Sequence, residues 1–317
     1  MKSIMILHPE ELSKAWIDQI ADAGITTLGL HPVGGRNAAK ALNGLVEALQ
    51  TPEYKALLDY AAERGLEIEY ELHAAGYLMP RDHFDAHPEY FRMNEKGERV
   101  TDWNFCVSNP DALSLVTQRA VKLATSLYRS NKRFHFWMDD GRNIHCHCPK
   151  CQALSPSDQQ LLVMNAMLRQ IRDEIPDAQM AYLAYIDSIV LPETVQPEEG
   201  IYLEYAPFEK YTAKTEDAPM LIARELAMLR PLMERFGQKD SMVLEYWYDN
   251  SLFSHWQKPA KKFVLDRDGL EQDIRDYRAL GFPTVATFGC YLGADYRELY
   301  GEVDVTPFAK AVHTEVL

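Results

Sequence analysis

The sequence predicts one (β/α)8 barrel, an α/β fold, over residues 1–317, and three observations carry that prediction. Eight short runs rich in apolar, β-branched and aromatic residues alternate with helical patterns along the whole chain, and strict alternation implies a parallel sheet. Eight such units in about 300 residues are the size of a closed barrel. No Gly-x-Gly-x-x-Gly follows the first run, as an open dinucleotide-binding sheet would want, and no linker or repeat divides the chain.

The first strand is SIMILHP (3–9). The acidic pair Glu10 and Glu11 then opens a helix, because negative side chains suit a helix N-terminus; Leu12, Trp16, Ile17, Ile20 and Ala21 share its apolar face. ITTLGLHP (25–32) is the second strand. Residues 51–64 are helical, with Pro52 in the first turn and Gly65 as the stop. LEIEYELHAAG (66–76) is the third strand. Asn-Pro-Asp at 109–111 starts a helix that runs to residue 129 and feeds the fourth strand, RFHFWMDDG (133–141). A helix over 155–176 leads to the fifth strand, AQMAYLAYIDS (178–188), and GIYLEYAPF (200–208) is the sixth. A helix over 218–236 precedes the seventh, SMVLEYWYDN (241–250). A helix over 268–280, stopped by Gly281, precedes the eighth, TVATFGCYLG (284–293).

The net charge of −14 argues against nucleic acid and anionic membrane as partners, since nothing basic is present in excess to neutralise phosphates. No stretch approaches the roughly 18 apolar residues of a membrane span. The opening MKSIMILHPEEL has only a four-residue apolar run before its charges, so no leader and a cytoplasmic location are expected.

In such a barrel the chemistry sits at the C-terminal ends of the strands. Those ends carry His8, His31, His73, Asp139 with Asp140, Tyr185 with Asp187, Glu204 with Tyr205, Glu245 with Trp247 and Asp249, and Cys290 with Tyr291. Carboxylates on different strands facing one cavity suit glycoside hydrolysis: one protonates the leaving oxygen while the other attacks or activates water. Aromatic side chains would stack on sugar rings. Asp139 and Asp140 alternate in direction along the strand, one towards the barrel axis and the other towards the helices or the next loop, so they do not share one job. His135 and Trp137 have the parity of Asp139; Phe134, Phe136 and Met138 have that of Asp140.

Three of the five cysteines fall in CHCPKC (146–151), a loop of about residues 141–156, and such clustering suggests a metal site rather than a disulfide framework. Zinc takes four N or S ligands in a tetrahedron. Cys146, Cys148 and Cys151 supply three, and Cys106, His145 and His147 compete for the fourth place. The set preferred for one structural Zn2+ is Cys106, Cys146, Cys148 and Cys151, which would pin the third and fourth loops together. No organic cofactor is expected.

HPEYFRMNEKGERV (87–100), FCVSNPDAL (105–113) and MDDG (138–141) followed by CHCPKC resemble the DUF4838 family in order and spacing, over about residues 73–152. The resemblance implies a carbohydrate-active barrel related to the α-glucuronidase and β-hexosaminidase groups. It carries over the positions of His73, His87, Cys106, Asp140, Cys146, Cys148 and Cys151. The related β-hexosaminidases place an Asp-Glu pair after the fourth strand. Here the pair is Asp139-Asp140, so an N-acetyl-assisted mechanism is not implied.

The expected activity is hydrolysis of a small oligosaccharide or glycoside. Asp140 is the expected general acid, with Asp139 supporting it or exchanging roles with it, and Glu245 or Glu204 is the base or nucleophile. His31, His73, Tyr185, Trp247 and Tyr291 would bind substrate, and Arg142 or Arg81 would pair the carboxylate of a uronic acid. The rival expectations are a metal-dependent hydrolase built on the His/Cys cluster, a non-catalytic sugar-binding barrel and, behind these, a barrel isomerase or lyase.

Overall fold

A computed structural model describes residues 1–212 and 218–314 of the chain. Eight parallel strands close into a barrel in sequence order. They are β1 (Lys2–Leu7), β2 (Thr27–Leu30), β3 (Glu67–His73), β4 (Ser130–Trp137), β5 (Gln179–Ala184), β6 (Ile201–Tyr205), β7 (Met242–Glu245) and β8 (Thr284–Phe288). The ring closes where β1 pairs with β8, from Lys2 opposite Thr284 to Ile6 opposite Phe288. Both faces of each strand are covered, which is why the runs read as nearly unbroken apolar segments. One parity fills the lumen with Ile4, Ile6, Ala181, Leu183, Met242, Leu244, Ala286 and Phe288. The other, including Met5, Leu7, Leu28, Tyr70, Phe134 and Tyr182, packs outward in a larger core that the surrounding helices share.

The helix ends follow local chemistry, with one correction to the sequence reading. The first helix begins at Lys14, not at the acidic pair: Ser13 accepts the Trp16 N–H at 3.3 Å, and Glu10 and Glu11 lie in a separate 3-10 turn, Pro9–Glu11. Asn109 caps Pro110–Ser126 by accepting the N–H groups of Asp111 and Ala112, each at 3.0 Å. A helix over Ala38–Ala48, unforeseen in the sequence, buries Ala38, Leu42 and Leu45.

The lumen is not apolar throughout. Glu69, Glu71, His135 and Glu204 are 0–1% exposed inside it. Glu204 accepts N–H groups from His135 Nδ1 and Trp137 Nε1, both at 2.8 Å. His135 Nε2 lies 2.9 Å from both Glu69 Oε1 and the Tyr202 hydroxyl. Burial opposes a charge on His135, but Glu204 and Glu69 outweigh it and hold the imidazole well above its usual range. Burial and the neighbouring Glu204 push Glu71 well above the carboxylate range, so it is neutral. This layer underpins Trp137, whose ring forms part of the floor of the rim cavity. Among the described residues, no helix is long and apolar enough to cross a membrane.

Candidate active site

A cavity of ≈ 340 Å³ opens at the C-terminal rim. Its floor and walls come from the first residues after several strands. His8, His31 and His73 stand at the ends of β1, β2 and β3, and each is hung from the next strand in the same way. His8 Nδ1 donates to the His31 carbonyl, His31 Nδ1 to the Glu71 carbonyl and His73 Nδ1 to the Met138 carbonyl, all at 2.8 Å. A carbonyl oxygen only accepts, so each Nδ1 carries the hydrogen and each Nε2 is left to meet a ligand. Burial, with His73 and His8 as neighbours, holds His31 well below its usual range and keeps it neutral. The rings form a row, 6.0 Å between the centroids of His8 and His31 and 5.6 Å between His31 and His73, with Trp137 5.0 Å from His73.

Two carboxylates line this cavity among the described residues, Asp140 after β4 and Asp249 after β7, three strands apart around the ring. Asp140 Oδ1 accepts the Tyr185 hydroxyl at 3.1 Å. Burial and Asp140 raise the Tyr185 phenol well above its usual range, so it remains a donor. Asp249 Oδ1 caps the short helix Asn250–Phe253, taking the N–H groups of Ser251 at 3.0 Å and Leu252 at 3.2 Å and the Ser251 hydroxyl. Its Oδ2 has no protein partner among the described residues. Burial raises Asp249 above the ordinary carboxylate range; the Ser251 hydroxyl, the capping N–H groups and His8 work the other way. Tyr246 lies within the fields of both carboxylates, and burial together with Asp140 and Asp249 keeps its phenol protonated. Tyr291, Trp256 and Phe208 complete the aromatic wall. Tyr291 is held at φ 61°, a left-handed conformation that costs a tyrosine roughly 1–2 kcal/mol, and its N–H donates to Glu11 Oε2 at 3.0 Å.

The structure therefore brings Asp140, His31, His73, Tyr185 and Tyr291 to one cavity, and it places five other candidates elsewhere. Asp139 does not face the cavity. It is bound by Arg81 Nη2 at 2.7 Å and by the N–H groups of Gly76 and Asn104, because the chain leaves the strand after Trp137 and parity no longer governs the two aspartates. Glu204 is sealed beneath Trp137 in the lumen network. Glu245 points outward from β7, where Lys210 Nζ at 2.6 Å, the Tyr211 hydroxyl at 2.6 Å and the Tyr277 hydroxyl at 2.5 Å hold it. Trp247 has the same outward parity; its Nε1 donates to Asp273 at 2.8 Å. Arg142 is paired with Glu209 at 2.6 Å rather than lining the cavity. His87 is on the surface, stacked on Tyr90. Sequence reasoning placed His8 and Asp249 at the rim without assigning them a role, and missed Tyr246, Phe208 and Trp256. For Tyr246 the missing signal was parity, since Leu244 faces inward and Tyr246 follows two residues later.

The four cysteines Cys106, Cys146, Cys148 and Cys151 are buried, with their sulfurs all within 4.8 Å of one another. Cys106, not a histidine, is the fourth member. The only other set of potential metal donors this close, among the described residues, is Glu69, Glu71 and His135 in the lumen. Neither set lines the rim cavity, and the row of three histidines does not converge to such distances.

The profile described as "Domain of unknown function (DUF4838)" matches residues 47–226, more than half of the chain. No curated protein matches it. Among solved structures, a β-galactosidase from the psychrophilic Marinomonas ef1 is similar over 90% of this chain, at 11% identity and a TM-score of 0.51. This chain spans about half of that protein, 54% of its length. Endo-glycoceramidase II from Rhodococcus sp., solved with a cellobiose-like imidazole, is similar over 91% of this chain and 72% of its own, at 8% identity and a TM-score of 0.52. A further glycoside hydrolase matches over 91% and 88%, at 12% identity and a TM-score of 0.53. At these identities the likeness is one of fold.

Proposed function

The chain belongs to the DUF4838 family, and from that premise and the rim cavity we propose that it is a glycoside hydrolase acting on a small glycoside or oligosaccharide. The observation that carries this reading is the pair Asp140 and Asp249, facing one cavity from opposite arcs of the barrel rim with aromatic faces and histidine nitrogens between them. Asp140 is the general acid. Tyr185 orients it through Oδ1 and leaves the other oxygen to the leaving group. Asp249 is the base or nucleophile; its capped Oδ1 fixes the carboxylate plane and Oδ2 meets the sugar or a water. Asp249 takes the role that the sequence assigned to Glu245 or Glu204. The three Nε2 atoms hydrogen-bond adjacent sugar hydroxyls, His31 as an acceptor, which suits a polyol ligand whose hydroxyls both donate and accept side by side. The similarity to barrels that include a β-galactosidase and a glycoceramidase supports the class of reaction without naming the sugar.

The test is turnover of a panel of aryl glycosides by wild type, Asp140→Asn and Asp249→Asn. Asp249→Asn should lose at least about a hundredfold in kcat on any substrate the wild type cleaves, and Asp140→Asn as much on glycosides whose leaving group needs protonation, since acid–base assistance supplies about 10²–10⁴. Saturable sugar binding without turnover of any activated glycoside would instead establish a non-catalytic barrel. Full activity of Asp249→Asn, or of Asp140→Asn on glycosides whose leaving group needs protonation, would remove that carboxylate from the mechanism.

A further inference from the structure

Outside the cavity, the thiol cluster is, among the described residues, the one group of metal-ligating side chains that joins two long loops. We propose that Cys106, Cys146, Cys148 and Cys151 bind one Zn2+ in a closed tetrathiolate site, and that this ion positions the Asp139–Asp140 turn through Asn104.

The donor set fits. Zinc–sulfur bonds of about 2.3 Å in a tetrahedron place sulfurs about 3.8 Å apart, and Cys106 Sγ lies 3.6 Å from Cys148 Sγ. That is far beyond the roughly 2.05 Å of a disulfide. The surroundings suit thiolates. The Met93 N–H donates to Cys146 Sγ at 3.4 Å, and Arg99 Nη1 lies 3.9 Å from the same sulfur with no carboxylate partner among the described residues. The loop is framed before any ion enters. Gln159, 3% exposed, accepts the Cys146 N–H at 3.0 Å and donates to the carbonyls of Cys146 at 3.1 Å and Cys151 at 3.2 Å.

The link to the cavity runs through one residue. Asn104 precedes Cys106 by two positions, is 4% exposed and sits at φ 39°, where asparagine is tolerated. Its Oδ1 accepts the Asp139 N–H at 2.8 Å, its Nδ2 donates to the Ile144 carbonyl at 3.1 Å, and its own N–H donates to Asp139 Oδ2. Ile144 in turn precedes Cys146 by two positions. Asn104 is thus a strut tied at both ends to metal-held chain, and its middle fixes the backbone from which Asp140 projects. Asn104 is a positioning residue, and the zinc touches neither substrate nor reacting atoms.

Metal content decides the first half independently of any glycosidase activity; the positional half rests on the reading of Asp140 given above. Protein purified without chelator should hold about one zinc per chain, with the four thiols masked from a thiol reagent until chelator is added. A Co2+-substituted protein should show the visible bands of a tetrahedral thiolate site. Cys148→Ser should lose the metal, whereas replacing both His145 and His147 with Ala should keep it. Iron in place of zinc, failure of the apoprotein to retain equimolar Zn2+, or loss of the metal with the two histidines would overturn the assignment. Asn104→Ala, which leaves all four sulfurs in place and guards against a cysteine variant that fails to fold, should keep the zinc. It should exchange the Asp139 and Gly76 amides faster and lower kcat by up to about a hundredfold with KM little changed. Unchanged exchange at those amides would overturn the positional half even if no substrate were found.

Discussion

Replacing Glu204 with Gln separates the two roles that a buried acidic residue on β6 can play. In the structure its Oε2 receives both the His135 Nδ1–H and the Trp137 Nε1–H at 2.8 Å, with no solvent contact. A glutamine has one oxygen and one NH2. Its oxygen can take both donors at the place of Oε2, with the NH2 at the place of Oε1, where Glu204 has no hydrogen-bond partner among the described residues, so what it removes is one of the two counter-charges of His135. Breaking a buried pair by removing one partner costs about 3–5 kcal/mol, a large part of the 5–15 kcal/mol that typically holds a domain folded. The pH dependence has a definite sign. His135 has a folded pKa raised well above its usual value, so its contribution is present in full below about pH 6.5 and is lost as pH rises through the raised value. The deficit of the variant should therefore be largest at neutral and mildly acidic pH and shrink under alkaline conditions. Urea unfolding followed by circular dichroism at several pH values measures it, with the midpoint lowered and the slope unchanged. A stability loss below about 1 kcal/mol at pH 7, joined to a fall in kcat of about 10³-fold, would mean that Glu204 is catalytic and that the lumen network has been misread.

Three further outcomes follow from single contacts. Glu245→Gln should destabilise the fold by about 2–4 kcal/mol in urea unfolding, since it leaves Lys210, Tyr211 and Tyr277 facing a neutral amide, while kcat stays close to wild type; a collapse of kcat with normal stability would restore Glu245 to the active site. Gly34→Ala should raise KM roughly tenfold with little loss of stability, because its backbone φ of −78° suits alanine whereas a Cβ there would meet His73 Cδ2 at 2.8 Å and push the ring from the cavity wall; an unchanged KM would remove His73 from substrate binding. Burial lifts Glu11 from 4.5 to about 7, so its own contribution to stability is full below about pH 4.5 and is lost as pH rises through 7, by at most roughly 3 kcal/mol; thermal melts of wild type and Glu11→Gln should diverge by that amount across the window, and parallel pH curves for the two proteins would refute it.

The barrel was legible in the sequence because parallel strands covered on both faces appear as continuous apolar runs, and all eight survive in the structure. The helix over 38–48 was not legible: it has no capping side chain, and Gly44 interrupts its pattern. Asp140 was placed at the cavity from the sequence and Asp249 was given no role, for one geometric reason. Parity decides which residues of a strand face the lumen, but only while the strand lasts and only once one inward residue is known. On β7, an inward Leu244 sends Glu245 and Trp247 outward to Lys210 and Asp273, and the chain then turns so that Asp249 meets the cavity. On β4 the strand ends at Trp137, so the two aspartates that follow obey the loop rather than the pleat. The spacing of Cys146, Cys148 and Cys151 pointed to one cluster, but Cys106 joins from 40 residues earlier, and nothing in linear spacing separates it from His145 or His147.

The same geometry explains why so much of the rim belongs to the sheet rather than to the loops. Each rim histidine hangs from the backbone of the neighbouring strand, and Trp137 hangs from Glu204, so the places of the Nε2 atoms and of the indole floor are set by strand register around the ring. Carbonyl oxygens within a closed sheet move little, so the three rings are held in order before a ligand arrives, and little ordering entropy is left to lose on binding. The buried charges below them are tolerable only because Glu69 and Glu204 flank His135 while Glu71 stays neutral, a balance that any uncompensated substitution in that layer upsets. The two carboxylates that would do the chemistry are the exceptions. Asp140 and Asp249 stand on turns beyond the strands, and each has a dedicated hold, the Tyr185 hydroxyl for one and the N-terminus of the helix Asn250–Phe253 for the other. The histidine row is thus fixed by the barrel and the two carboxylates by the turns, so variation in the turns can move the carboxylates while the row stays in place.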